Sequence, residues 1–192
     1  GAFATHPAQA AIPLFDGVFQ HMDEMVFYKE EETALYIRAT GHITANSCSL
    51  LKDKVFEVLE DEANTVSGIY VDLSQCEYMD STFMGLLAGF NKRMLRLGKQ
   101  PITLYKVSET CQKLLKTIGI NKLVSFSEET PQFPAMMESI APSEDASPEF
   151  ILDSHNNLIE LSEENEKRFS TLRTILQSTI SGKKSENDSN QD

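Results

Sequence analysis

The segment formed by residues 68–73 constrains the fold more than any other part of the chain. Its sequence, Gly-Ile-Tyr-Val-Asp-Leu, is almost continuously apolar and contains the β-branched and aromatic residues that strands favour. A short strand of this kind is buried on both faces, as in a mostly parallel sheet covered by helices. Helical patterns, with apolar residues at intervals of three and four, precede and follow it. Together they predict a sheet with helices packed against it.

Strands and helices alternate through residues 25–140. In Ala34–Ile43, the apolar residues Leu35, Ile37 and Ala39 fall on one face and more polar neighbours fall on the other. The other predicted elements are strands at 26–29, 101–107 and 123–126, a loop at 74–80, and helices at 46–61, 81–97, 108–117 and 131–140. The resulting order, ββαβαβαβα, predicts an α/β fold with a mixed β-sheet and helices packed against it.

The two ends of the chain are predicted to lie outside this unit. Residues 1–24 contain two prolines and no clear periodicity, and they are interpreted as an N-terminal extension. Residues 141–147 have the composition of a linker. The sequence Ser147-Pro148-Glu149 then supplies a helix start, with a capping residue, a proline at the first helical position and an acidic residue.

The C-terminal extension is predicted to be a helical hairpin of residues 148–161 and 162–180. Residues 153–157 also fit a turn, which would break the first helix. Neither helix is expected to be stable alone, so the apolar faces must pack on the domain or on a second copy of the chain, giving a homodimer. Residues 181–192 contain no large apolar side chain and are predicted to be disordered.

Composition argues against several classes of function. The net charge of −12 disfavours nucleic acid as a partner, because phosphates attract basic surfaces. No run of about 18 apolar residues is present, so membrane insertion is not expected. No secretory signal is visible, and a cytoplasmic location is predicted. The three cysteines, Cys48, Cys76 and Cys111, are widely spaced and lack a CxxC pair, which indicates reduced thiols.

Patterns that would indicate catalysis are weak. The four histidines, His6, His21, His42 and His155, do not have the spacing of metal ligands. The chain also lacks the G-x-S-x-G elbow of hydrolases and a phosphate-binding glycine loop. No metal or cofactor is therefore predicted, and the protein is not expected to be an enzyme. A serine, a histidine and an aspartate assembled by the fold remain an open alternative, which would make the protein a hydrolase.

Several short motifs in a fixed order carry a family resemblance. The buried strand and the start of the next helix contain Val71-Asp72-Leu73-Ser74 and Tyr78-Met79-Asp80-Ser81-Thr82. The flanking motifs are Gly41-His42-Ile43, Val107-Ser108, Leu114-Leu115 and Ile118-Gly119-Ile120-Asn121-Lys122-Leu123. Over residues 25–140 this combination resembles the STAS domain family, in particular the bacterial anti-sigma-factor antagonists. The sequence departs from the family at Phe83, where glycine is usual, and at Thr44, where an acidic residue is usual.

The resemblance implies a function and a set of partners. In the family, the first hydroxyl after the aspartate is phosphorylated, which here is Ser81. The kinase is the partner anti-sigma factor, which has a GHKL-type fold, and a PP2C-type phosphatase removes the phosphate. The unphosphorylated form binds the anti-sigma factor and thereby frees the sigma factor. The expected partner-binding surface surrounds this serine and comprises Met79, Asp80, Thr82, Phe83, Leu86, Phe90, His42 and Thr44.

The residues themselves add a physical argument about this site. Ser81 is predicted at the N-terminus of a helix, where free N–H groups and the helix dipole favour an anion such as a phosphate. The alternative is that Asp80 or Ser81 only caps the helix, as any helix start requires.

The same helix is apolar on more than one face. Met84, Leu87 and Met94 are predicted to face the sheet together with Ala88. Phe83, Leu86, Phe90 and Leu97 are then assigned to another face, either exposed for a partner or covered by the C-terminal helices. Gly85 and Gly89 are interpreted as positions that allow close helix packing.

Two further hypotheses belong to different classes of function. The first is an interaction module that does not switch, such as a STAS subunit of a transporter or a scaffold in a signalling complex. The second is the hydrolase mentioned above.

Overall fold

The computed structural model describes residues 24–129 and 132–190, so the N-terminal extension predicted for residues 1–24 lies outside the described residues except for Glu24. The strands are β1 (Met25–Glu30), β2 (Ala34–Ile43), β3 (Gly68–Met79), β4 (Thr103–Tyr105), β5 (Ser125–Ser127) and β6 (Glu138–Ile140). The helices are α1 (Ala45–Glu60), α2 (Ser81–Arg96), α3 (Glu109–Ile118), α4 (Pro148–Ile159) and α5 (Glu163–Ser189), with a short 3₁₀ turn at Ile120–Lys122.

The strands form one six-stranded mixed sheet in the order β5-β4-β3-β2-β1-β6. Strands β2 to β5 are parallel, whereas β1 is antiparallel to both β2 and β6. The central strand β3 buries Ile69, Val71 and Leu73 completely. The prediction of an α/β fold with a mixed sheet is confirmed.

Strand β3 is longer than its apolar pattern indicates. It continues through residues 74–79, which were predicted to be a loop, and Ile43 of β2 pairs with Met79. Ser74 and Gln75 are exposed, so their polar character reflects solvent contact and not the end of the strand. Two irregularities in the register with β2 keep the strands paired over this length.

The prediction of a helix at residues 131–140 is wrong for residues 132–140, the part of this segment that the structure describes. Residues 138–140 form β6, which covers the outer edge of β1 by pairing Val26 with Ile140. Pro134 disfavours a helix here because it removes a backbone donor from the helix interior. Pairing with β1 satisfies backbone groups that the edge strand would otherwise expose.

The helix ends follow their local sequence signals. Ser108 caps α3 through a hydrogen bond to Cys111, and Gly119 ends that helix in the left-handed conformation, with φ of 89°, as predicted. Helix α1 begins at Ala45 and is capped by Thr44, slightly before the predicted caps Asn46 and Ser47.

The C-terminal extension forms the predicted helical hairpin, in which α4 and α5 pack against each other. Residues 153–157 lie within α4, so the alternative turn is excluded. Helix α5 continues to Ser189, and the prediction of disorder is therefore wrong for residues 181–189. Extending an existing helix avoids the cost of a new nucleus, so these exposed residues do not need a packed face.

Candidate partner-binding site

Asp80 joins three elements at one end of the sheet. It is the N-cap of α2, and its carboxylate accepts hydrogen bonds from the N–H of Phe83 at 2.9 Å and from the N–H of Ala45, the first residue of α1, at 3.0 Å. Its own N–H donates to the carbonyl of Ile43 at the end of β2. One carboxylate thus fixes the starts of two helices relative to β2.

Burial raises the pKa of the Asp80 carboxyl above its ordinary value. The backbone N–H groups of Phe83 and Ala45 oppose that effect, as does His155, because each stabilises the charged form. A second carboxylate lies nearby, since that of Glu24 accepts a hydrogen bond from the Thr44 hydroxyl at 2.9 Å.

Ser81 is the first residue of α2 and is half-buried. Its Oγ lies 2.8 Å from Nε2 of His155, which belongs to α4 of the C-terminal hairpin. Nδ1 of His155 lies 2.7 Å from the carbonyl oxygen of Ile151 and must donate to it, because a carbonyl cannot donate. In the neutral imidazole, Nε2 is then the acceptor of the Ser81 hydroxyl proton.

His155 is a contact of Ser81 that sequence reasoning missed. The residue is 2% exposed, and its ring contacts Phe169 of α5 at a centroid distance of 5.0 Å. The 74-residue separation from Ser81 contains no motif that would pair them. Only the packing of α4 against α2 reveals the contact.

The inward face of α2 includes Leu87 and Met94, as predicted, but also the two phenylalanines that were assigned to another face. Gly85 faces α4, and at 100° per residue Phe83, Leu87, Phe90 and Met94 lie on the opposite side. All four of these side chains have 0% exposure. The prediction that Phe83 is exposed, or covered only by the extension, is therefore wrong, and Phe83 shares the inward face with Leu87 and Met94.

The residues of the expected partner surface differ in burial. Met79, Thr82, Leu86 and Phe90 are buried in this structure, so they are not available to a partner as the chain is folded here. Asp80 and Thr44 are half-buried.

The accessible part of the site lies on the adjoining ends of β2 and β3. His42 is exposed, and its ring lies 5.7 Å from that of Tyr78, which is also exposed. Glu77 approaches Nε2 of His42 at 3.4 Å. The pairing of β2 with β3 brings this pair to the same end of the sheet as Asp80 and Ser81.

The serine, histidine and aspartate are close together but are not arranged as a catalytic triad. The carboxylate of Asp80 binds backbone N–H groups, and Nδ1 of His155 binds a backbone carbonyl. The aspartate therefore does not orient the imidazole, which a triad requires.

Comparison with known proteins identifies the family. The family model described as Mlab, STAS domain matches residues 26–125, which is more than half of the chain. The protein belongs to the STAS domain family. The match ends before the helical hairpin, so the residues that contact Ser81 from α4 lie outside it.

Solved structures with a similar arrangement include anti-sigma factor antagonists. The antagonist SpoIIAA in its unphosphorylated form is 17% identical, with a TM-score of 0.48, over 55% of this chain and 89% of that chain. The phosphorylated form of the Bacillus cell fate determinant SpoIIAA is 18% identical, with a TM-score of 0.45, over 55% and 92% of the two chains. An anti-sigma factor antagonist from Mycobacterium paratuberculosis is 14% identical, with a TM-score of 0.43, over 56% and 88%.

Within the described ranges, each helix is too short or too polar to cross a lipid bilayer.

Proposed function

We propose that this protein is a cytoplasmic regulatory module of the anti-sigma-factor antagonist type, which binds a protein partner and is switched by phosphorylation of Ser81. The observation that carries the proposal is the position of Ser81 at the first turn of α2, next to the exposed ends of β2 and β3. An anti-sigma factor with a GHKL-type kinase fold is the proposed partner and kinase, and a PP2C-type phosphatase is the proposed opposing enzyme.

The switch is an electrostatic one. Phosphorylation breaks the bond between the γ-phosphorus of ATP and its bridging oxygen, forms a bond to Oγ of Ser81, and releases the hydroxyl proton and ADP. The product carries about −1.5 to −2 additional charges. The N-terminus of α2 tolerates an anion, so the domain is expected to remain folded. A complementary interface is not expected to tolerate it, because the new charge lies beside the carboxylate of Asp80 and must lose its water.

A phosphorylation assay on the full chain tests this proposal. We expect the wild type and Thr82→Ala to gain about 80 Da when incubated with ATP and a lysate of the source cells, and Ser81→Ala to gain nothing. Thr82 is the matched control because it is the adjacent hydroxyl and is buried. Phosphate that persists in Ser81→Ala and disappears in Thr82→Ala would move the site by one residue.

A second function is favoured by the contact of Ser81 with His155. The hydroxyl of Ser81 already has a hydrogen-bond partner within its own chain. Ser81 could therefore have a structural role in a STAS module that binds its partner without being switched by phosphorylation. A transporter subunit or a signalling scaffold would be of this kind. This alternative predicts that Ser81→Ala and Ser81→Glu bind the same partner equally well.

A further inference from the structure

The C-terminal hairpin is packed tightly onto the helix that begins with Ser81. A β-carbon added at Gly85 of α2 would overlap the backbone carbonyl oxygen of Ser154, so the two backbones touch at this point. Asn157 donates a hydrogen bond from Nδ2 to the carbonyl of Gly85 at 3.2 Å. Lys52 of α1 also forms an ion pair with Asp153 of α4 at 3.3 Å.

The hairpin also contacts the proposed phosphorylation site itself, and Ser81 is half-buried. Nε2 of His155, one residue after Ser154, lies 2.8 Å from Oγ of Ser81, and the buried ring contacts Phe169 on α5. A phosphoryl group has three terminal oxygens, whereas the present contact leaves 2.8 Å between Oγ and the ring nitrogen. The phosphorylated side chain therefore cannot keep the present rotamer of Ser81 while His155 stays in place.

We propose that the α4–α5 hairpin is an intramolecular cover for Ser81, and that modification of this serine requires the hairpin to leave α2. The proposal rests on the proposed function for the biological role of Ser81, but the cover itself is a property of this chain. Release would expose the face of α2 that carries Gly85 and Gly89. Packing of the hairpin on α2 and phosphorylation of Ser81 would then exclude each other.

Chemical labelling of a cysteine introduced in place of Ser81 tests the cover without a kinase or a partner. In full-length Ser81→Cys, we expect the new thiol to react with a maleimide at least about ten times more slowly than the one in Ser74→Cys, an exposed position on β3. Cys48, Cys76 and Cys111 are buried and free, and the wild type measures their background.

Gly85→Ala, added to Ser81→Cys, is the releasing substitution. The added methyl group would overlap the backbone of Ser154, which cannot rotate away, so the hairpin should be displaced. We therefore expect the thiol at position 81 to be labelled about tenfold faster or more. Gly89→Ala is the graded comparison on the same helix. Its methyl group meets the Asn157 side chain, which can rotate away at the cost of its hydrogen bond to Gly85, so labelling should accelerate less than in Gly85→Ala.

Hydrogen exchange of the same variants separates release from unfolding. Release predicts lost protection in residues 148–189 while β2 and β3 stay protected. If Gly85→Ala unfolds the whole domain, Asn165→Ala replaces it. Asn165 is 1% exposed and donates from Nδ2 to the carbonyl of Ile118 at 2.9 Å, so its loss weakens the hairpin from the other side.

Three results would contradict the proposal that the hairpin covers Ser81. The first is labelling of Ser81→Cys as fast as that of Ser74→Cys when neither chain carries a second substitution. The second is unchanged labelling in a variant whose hairpin has lost its protection. The third is a hairpin that keeps its protection in both Gly85→Ala and Asn165→Ala, which would make it a fixed part of the fold. None of these results bears on whether a kinase recognises Ser81, so the proposed function is tested separately.

Discussion

Among single residues, Phe83 anchors the start of α2. Its ring is fully buried on the side of the helix that faces away from the hairpin, two residues after Ser81. We expect Phe83→Ala to lower the free energy of unfolding by roughly 3–5 kcal/mol, because it removes a buried ring and leaves a cavity. Denaturant unfolding measures the change.

Leu95→Ala is the control on the same helix. This side chain is 48% exposed, and its removal should change the free energy of unfolding by about 0.5 kcal/mol or less. If Phe83→Ala lowers the free energy of unfolding by only about 1 kcal/mol or less, the ring is not buried as described here.

The sequence identifies Ser81 as a candidate but misjudges the surroundings of the site. Helix α2 has apolar residues around most of its circumference, so its periodicity does not show which side faces the sheet. The orientation is fixed by Gly85, whose contact partner on α4 is 69 positions away in sequence. The same limit explains His155, since tertiary packing and not local pattern places it beside Ser81.

At the scale of elements, the predictable parts are those with local causes. The alternation in β2 and the caps at Ser108 and Gly119 act over a few residues, and the structure has them where the sequence indicates. Strand β6 depends instead on the open edge of β1, which no local pattern of residues 138–140 reveals. A strand of three residues is also too short to show a recognisable alternation of apolar and polar side chains.

The last turns of α5 are expected to contribute nothing to stability. Residues 181–189 are helical but wholly exposed, so they extend a helix without burying apolar surface. Deleting residues 181–192 should leave the free energy of unfolding unchanged within about 0.5 kcal/mol.

Phe169→Ala provides the contrast on the same helix. This residue is buried and contacts His155, so its loss should destabilise the hairpin measurably. A large loss of stability on deleting residues 181–192 would show that this segment packs against another surface in solution.

For the whole molecule, the packing of the hairpin bears on the oligomeric state. Helix α4 lies on α2 of its own chain, so the need to cover its apolar face is met without a second copy. Ile175 of α5 is 57% exposed, and a single exposed apolar side chain is normal. We expect light scattering to give the monomer mass of 21.5 kDa at micromolar concentration. A mass twice as large, which falls to the monomer mass when α5 is disrupted, would instead support the predicted homodimer.

The central claim is that charge at Ser81 controls binding of a protein partner. The most direct measurement compares full-length Ser81→Ala and Ser81→Glu as baits in the source cells, with the bound partner identified and quantified by mass spectrometry. We predict that Ser81→Ala retains the partner and that Ser81→Glu retains at least about tenfold less, equivalent to about 1.4 kcal/mol of binding free energy. Unfolding curves of the two variants must first show that both are folded. Equal recovery of the same partner on the two folded variants would contradict the switch and leave an interaction module that does not respond to charge at this position.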